Sequence, residues 1–341
     1  MAGIWRIEER VFSLTRHSDT DTVMLNTFKP SQFQRGQKHS FDLSLDPWLK
    51  NVSLPILLVR GRGNGKTLVA TAGVHGDEYE GVRAIFETYQ SLDPDEMSGD
   101  FLAVPVANPP AFWNGTRTNP LDQANLARAF PGDLNGGPTA VIAHVLANSI
   151  IALADFYVDL HSAGVKLLMP SMAGYDAADE RSRNAAMIFG AQVVWGHPET
   201  APGRTISFAK QRGIPWLYTE ARGAGRIHPD DLRMFLNGIQ NLLRHLRILP
   251  GNSIPAKIET HLLGSGDIDT SLVATKQGFL IPDVDLLQPV RTGERLGRVV
   301  DLHSDTLESF VSPRDGVVAL IRQWPVVVPG DSTFMVTGVF E

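Results

Sequence analysis

Between about residue 60 and residue 250, short apolar runs alternate with segments of helical period, and then the alternation stops. The strand candidates are Thr67–Ala72, Phe101–Val106, Phe156–Leu160, Leu167–Met169, Gln192–Trp195 and Trp216–Thr219. The helix candidates are Glu80–Tyr89, Ala140–Leu153, Ala178–Phe189 and Asp230–Leu246, the last preceded by Pro229. This pattern predicts a layered α/β fold with a parallel or mixed sheet flanked by helices. In such folds ligands gather in the loops beyond the carboxyl ends of the strands. Further β pieces precede the alternation at Val23-Met24-Leu25 and Ile56–Val59. Beyond Leu249-Pro250-Gly251-Asn252 no helix is convincing, and short β runs are punctuated by Gly, Pro and Asp, as in a small all-β barrel or sandwich. Two domains are therefore expected, 1–252 and 253–341, which suits a chain of 341 residues.

The charge balance narrows the function. There are 31 Lys and Arg against 37 Asp and Glu, a net −6, with no basic stripe of the kind that binds nucleic acid or a membrane surface. The apolar stretch Val141–Leu160 is broken by His144, Asn148, Asp155 and Asp159, which does not suit a membrane span. The segment Met1 to Met24 carries Arg6, Glu8, Glu9, Arg10 and Arg16 and no apolar core, unlike a secretory signal, so a cytoplasmic location is expected. There is no cysteine, hence no disulfide, thiolate zinc finger, iron–sulfur ligand or thiol nucleophile. Any metal must be held by His, Asp and Glu.

Three features fall at predicted strand ends. Gly73-Val74-His75-Gly76-Asp77-Glu78 follows Thr67–Ala72, Asp159-Leu160-His161-Ser162 closes the strand from Phe156, and Glu220 closes the strand from Trp216. Two ligands three residues apart can reach one ion from a single loop, and a third can close the set from a neighbouring strand. His75, Glu78 and His161 would leave a fourth position for water, whose pKa zinc lowers to about 7. Glu220 is then the candidate general base and acid. Taken singly, H-x-x-E arises by chance, His161 fits a satisfied core histidine, and Glu220 fits an ordinary ion pair. The argument rests on all three reaching the ligand-binding edge of one sheet.

These residues resemble the succinylglutamate desuccinylase/aspartoacylase family of zinc carboxypeptidase-like metallohydrolases. The likeness is carried by Gly73–Glu78, by Asn108-Pro109-Pro110 through Gly115-Thr116-Arg117 to Asn125-Leu126-Ala127-Arg128-Ala129-Phe130-Pro131-Gly132, by Asp159-Leu160-His161, and by Glu220. With the β tail it spans about residues 50 to 341. It implies a carboxypeptidase-like mixed sheet, one Zn2+ per subunit on His75, Glu78 and His161, and Glu220 as the catalytic carboxylate. It further implies that Arg117 polarises the scissile carbonyl and that Arg128 holds a substrate carboxylate, a task suited to a guanidinium fork. The activity implied is hydrolysis of the amide of a small, anionic N-acyl amino acid or related compound. A carboxypeptidase-type peptidase and a non-catalytic metal-binding homologue are the alternatives.

One position departs from the family's usual Asp-Leu-Asn-Arg. Ala127 replaces the Asn and its side chain cannot donate a hydrogen bond where the Asn would, which leaves Asn125 as the candidate to contact substrate in its place. Arg222 and Arg226, close after Glu220, are further substrate-binding candidates in a glycine-rich loop, with surface ion pairing as the competing reading. His197 and His228 read as capping or loop histidines. Gly61–Thr67 has neither the spacing nor the following helix of a phosphate-binding loop, and no G-x-S-x-G elbow is present. The tail resembles biotinyl/lipoyl-like barrels through Gly293–Gly297 and Ser312–Gly316, but His303–Glu308 contains no carrier lysine. A role in narrowing the cleft to small molecules is expected instead. Homo-oligomeric assembly is compatible with the sequence, which does not set a subunit number.

Overall fold

A computed structural model describes residues 21–25 and 28–339. The charged segment read in Met1 to Met24 lies outside the described residues up to position 20. The strands before the tail are β1 (Thr22–Met24), β2 (Gln37–Ser44), β3 (Ser53–Arg60), β4 (Gly63–Ala72), β5 (Ser98–Val104), β6 (Phe156–Ser162), β7 (Leu167–Leu168), β8 (Met172–Asp176), β9 (Val193–His197) and β10 (Trp216–Ala221). The helices are α1 (Glu80–Ser91), α2 (Pro109–Asn114), α3 (Pro138–Val145), α4 (Glu180–Phe189), α5 (Thr205–Gln211) and α6 (Pro229–His245). The tail adds β11 (Thr260–Leu263), β12 (Leu272–Val273), β13 (Gly278–Pro282), β14 (Pro289–Val290), β15 (Arg295–Val300), β16 (Thr306–Val311), β17 (Gly316–Arg322), β18 (Val326–Val327) and β19 (Ser332–Val339).

The central sheet runs β1-β2-β3-β5-β4-β6-β10-β8-β9-β11. Its middle strands β5, β4, β6 and β10 are mutually parallel, and β8 runs against β10, so the sheet is mixed as expected. Buried on both faces, these strands read as nearly continuous apolar runs rather than alternating ones. One face is covered by α1, α4 and α6, with Val82, Ile85, Phe189, Phe235, Ile239 and Leu242 in its core. The other is covered by α3, α5 and the 3-10 turns around them, with Leu126, Ile142, Val145, Phe208 and Trp216 buried there.

Two expectations are corrected. The helix expected over Ala140–Leu153 is α3 followed by a wider π turn, Leu146–Ile150, and a 3-10 turn, Ile151–Leu153. There the Asn148 side-chain amide donates to the His144 carbonyl (3.1 Å), a bond that competes with regular helix pairing. The strand expected at Leu167–Met169 is not in the central sheet. It is β7, and it pairs with β17 in the tail through Leu168 and Ile321.

The tail is a β sandwich, with β16-β15-β13-β18 facing a sheet built on β17 and β19 across Leu280, Leu296, Val299, Phe310, Val318 and Phe334. It is not set apart from the central sheet: β11 pairs parallel with β9 and antiparallel with β19. Among the described residues no helix is long and apolar enough to cross a membrane.

Candidate active site

Strand order brings the three chemical segments together. β6 lies between β4 and β10, and in register Leu160 faces Ala72 while His161 faces Glu220. The carboxyl ends of these parallel strands therefore open side by side. Gly73, at φ +61°, lets the chain leave β4 in the left-handed region and turn into the loop that carries His75 and Glu78. The loop ends where α1 begins, so Glu78 comes down beside His161.

The ligand atoms of His75, Glu78 and His161 lie within 4.8 Å of one another, and all three side chains are buried or nearly so. Glu78 sits at the centre. Its Oε1 lies 2.7 Å from His75 Nδ1 and accepts from an Arg117 guanidinium nitrogen at 3.1 Å, while its Oε2 lies 2.9 Å from His161 Nδ1 and accepts from Ser162 N–H at 3.1 Å. The outer nitrogens of both imidazoles are also engaged. His161 Nε2 lies 3.0 Å from Asp159 Oδ2, and His75 Nε2 lies 3.2 Å from Asn125 Oδ1. The Asn125 atom is an acceptor, since Ala127 N–H donates to it at 2.9 Å. A carboxylate and an amide oxygen can only accept, so both Nε2 atoms carry a proton. On the neutral ring of His75 this leaves the Nδ1 lone pair 2.7 Å from a Glu78 oxygen, an opposition that a cation between them would relieve. His161, held protonated between two carboxylates, instead donates from both nitrogens until a cation takes the place of its Nδ1 proton. The donor set of two imidazoles and one carboxylate, each imidazole oriented by an outer partner, fits zinc.

Electrostatics follow the same geometry. Burial alone would lower the His161 pKa, but the charges of Asp159 and Glu78 hold it well above the usual value. Burial would raise Glu78, yet His75 and His161 hold it well below the usual carboxylate range. Burial, helped by the Arg117 charge, lowers His75 to about 4. Asp159 stays ionised below its ordinary range despite burial, because His161, Thr205 and Thr71 all direct charge or protons at it.

Glu220 lies across β6 from this group. Burial first, and then the Glu78 charge, raise it to about 8, with His161 and Arg117 opposing. Its Oε2 is buried without a hydrogen-bond partner among the described residues. A carboxyl group so placed is free to take and return a proton.

His75, Arg117, Ala127, Arg128, His161 and Glu220 line one cleft of about 510 Å³, a size suited to a small molecule. The far wall comes from the loop after β9 and from Ser265–Ile268 of the tail. Other sequence candidates take different places. Asn125 does not line the cleft; it orients His75. Arg128 does line it, but Asp269 already fills its fork (Nε–Oδ2 2.8 Å, Nη2–Oδ1 2.9 Å), so the protein supplies the carboxylate expected of substrate. Arg222 turns away to the buried Asp231 (3.1 Å) and lines a separate cleft by α6. Arg226 is outside both clefts, its Nε 3.5 Å from His228 Nε2. Arg222 is ion-paired as the competing reading had it, but with the buried Asp231 in the first turn of α6 rather than with a surface carboxylate. His197 is no capping residue: it lies buried in β9 and lines the cleft.

Comparison with known proteins agrees with this architecture. Residues 64–246, more than half the chain, match the family model for the succinylglutamate desuccinylase/aspartoacylase catalytic domain. The chain belongs to the succinylglutamate desuccinylase/aspartoacylase family. It is 32% identical over 299 residues to N-alpha-acetyl-L-2,4-diaminobutyric acid deacetylase of Halomonas elongata, covering 85% of this chain and 87% of the relative. Among solved family structures, the succinylglutamate desuccinylase/aspartoacylase of Rhodobacter sphaeroides superposes with a TM-score of 0.80 at 30% identity, covering 90% of this chain and 98% of the other. The product-bound ectoine utilization protein EutE (DoeB) of Ruegeria pomeroyi superposes with a TM-score of 0.81 at 27% identity, covering 92% and 98%.

Proposed function

We propose that this family member is a zinc-dependent deacylase that hydrolyses the amide bond of a small N-acyl amino acid. The observation that carries the reading is the convergence of His75, Glu78 and His161 beside Glu220, whose Oε2 is buried without a hydrogen-bond partner among the described residues, in a cleft of about 510 Å³. Zinc held by the three ligands would activate water at neutral pH and polarise the acyl oxygen. Glu220, whose ionised form the charge of a zinc ion held beside it would favour, takes the proton of the attacking water. It returns that proton to the amide nitrogen as the C–N bond breaks, leaving a carboxylic acid and an amine. Arg117, held by Glu78 at 3.1 Å and half-buried on the cleft wall, places a fixed cation where the acyl oxygen gains charge. The deacetylase relative supports an acetylated diamino acid as the first substrate to assay.

In the decisive experiment, zinc content and turnover of N-acetyl amino acids are measured for the wild type and Glu220→Gln. The variant is expected to keep its zinc and lose about 10²–10⁴-fold in kcat. Full turnover in the variant, or wild-type protein that takes up no zinc, would refute the proposal. Cleavage of dipeptides with no action on N-acyl amino acids would redirect it to a carboxypeptidase.

A further inference from the structure

The end of the cleft away from the histidines and Glu78 has its own polar design. Tyr218 lies on β10 two residues before Glu220, and its ring passes over β8 to reach His197 on β9. Gly174 is its register partner on β8, and a Cβ there would stand 2.0 Å from the ring, so only glycine admits this crossing. The Tyr218 hydroxyl lies 2.9 Å from His197 Nε2, and His197 Nδ1 lies 2.9 Å from the Gly264 carbonyl.

Donor and acceptor roles in this chain are forced. A carbonyl only accepts, so the proton of neutral His197 is on Nδ1 and Nε2 is bare. Burial, which lowers the His197 pKa to about 4, keeps the ring neutral. The Tyr218 hydroxyl must therefore donate to Nε2, and it faces the cleft with lone pairs alone. An oxygen in that state welcomes an N–H or O–H donor and repels a carboxylate.

The surrounding charges favour the same ligand. The guanidiniums on this wall are already matched: Arg204 to Asp267 (2.6 Å) and Asp269 (3.2 Å), and Arg128 to Asp269 (2.8 Å). Glu199, exposed on the same wall, has no ion-pair partner among the described residues. Two cations thus stand against three carboxylates.

We propose that this end of the cleft receives an ammonium group of the substrate, with the Tyr218 hydroxyl as its acceptor and His197 as the residue that positions it. The inference rests on the deacylase reading and sharpens it: it assigns a place and an acceptor to the side-chain ammonium of an acetylated diamino acid, where an anionic substrate is expected from the sequence. Tyr218 sets specificity and His197 acts through it.

The test uses the zinc-loaded full chain and three compounds with the same two-methylene side-chain stem, N-α-acetyl-2,4-diaminobutyrate, N-acetylnorvaline and N-acetylglutamate, which end in ammonium, methyl and carboxylate. Wild-type kcat/KM is expected to favour the ammonium compound over the methyl one by about 100-fold, mainly through KM, with the carboxylate compound poorest. Tyr218→Phe should lower the ammonium-to-methyl ratio about tenfold or more, the loss of one hydrogen bond to a charged group. His197→Leu frees the tyrosine proton for the cleft, so it should lower that ratio and also raise the carboxylate-to-methyl ratio, which Tyr218→Phe does not. Each ratio is taken within one preparation, so partial misfolding cancels. Equal use of the ammonium and methyl compounds by the wild type, or ratios unmoved in both variants, overturns the inference while leaving the deacylase intact. Hydrolysis of none of the three overturns both.

Discussion

Asp159 touches no part of the cleft, yet three side chains are spent on holding its carboxylate in place. Thr71 donates to Oδ1 at 2.6 Å, and Oδ2 takes protons from Thr205 and from His161 Nε2 at 3.0 Å. The carboxylate therefore settles which His161 nitrogen can reach a metal. Replacing Asp159 by Asn keeps the size but allows the amide to turn its NH2 toward the imidazole, removing the tautomer preference. Zinc affinity, measured by competition with a chelator, should weaken about 10–100-fold, as removal of such outer partners does. An unchanged affinity would show that Glu78 alone orients the ring. The spacing Asp159-x-His161 on a strand puts both side chains on one face, a signal that could have named this partner although the sequence reading gave Asp159 no role. Asn125 has no such signal, because its partner His75 is 50 positions away and the motif gives no direction to its amide.

Among the elements, strand ends and long helices were the readable parts. The segments carrying His75, His161 and Glu220 were placed within a residue or two, because β4, β6 and β10 are apolar runs bounded by turn residues. β8, in contrast, carries Gly174 and follows Pro170-Ser171, and α5 has only seven residues, too few for a helical period to emerge. The same packing logic gives a stability test on α6. Its buried face meets α4 where Gly238 lies under Phe189, and a Cβ there would stand 2.2 Å from the ring. Gly238→Ala gains about 1 kcal/mol in helix propensity but meets an overpacking penalty of about 1–3 kcal/mol. The expected outcome is a melting temperature a few degrees lower, read by calorimetry. A rise would mean that Phe189 has room to move.

For the molecule as a whole, the informative seam is where the tail meets the central sheet. His197 closes β9 and donates to Gly264, just past β11, so one buried imidazole ties the sheet to the far wall of the cleft. The contribution of this group to stability depends on pH with a definite sign. Its pKa is about 4 when folded, against an ordinary value of 6.5 in the unfolded chain, so the folded chain binds fewer protons across that interval. The stabilisation is full above pH 6.5 and is lost as pH falls to about 4, by about 3 kcal/mol. Denaturant midpoints of the wild type and His197→Gln over this range should differ by that slope. Parallel curves would assign the acid sensitivity to other groups. No local pattern announces this seam, since Gly264 lies 67 positions from His197 and Asp269 lies 141 from Arg128.

The stitching of β11 to both β9 and β19 has a consequence for biosynthesis. A ribosome that has made the chain through α6 has already supplied both imidazoles, Glu78 and Glu220, but nothing yet fixes Ser265–Ile268 opposite them. β11 gains its second partner only once Ser332–Val339 has emerged and paired, so this wall is completed later than the strand ends that carry His75, His161 and Glu220.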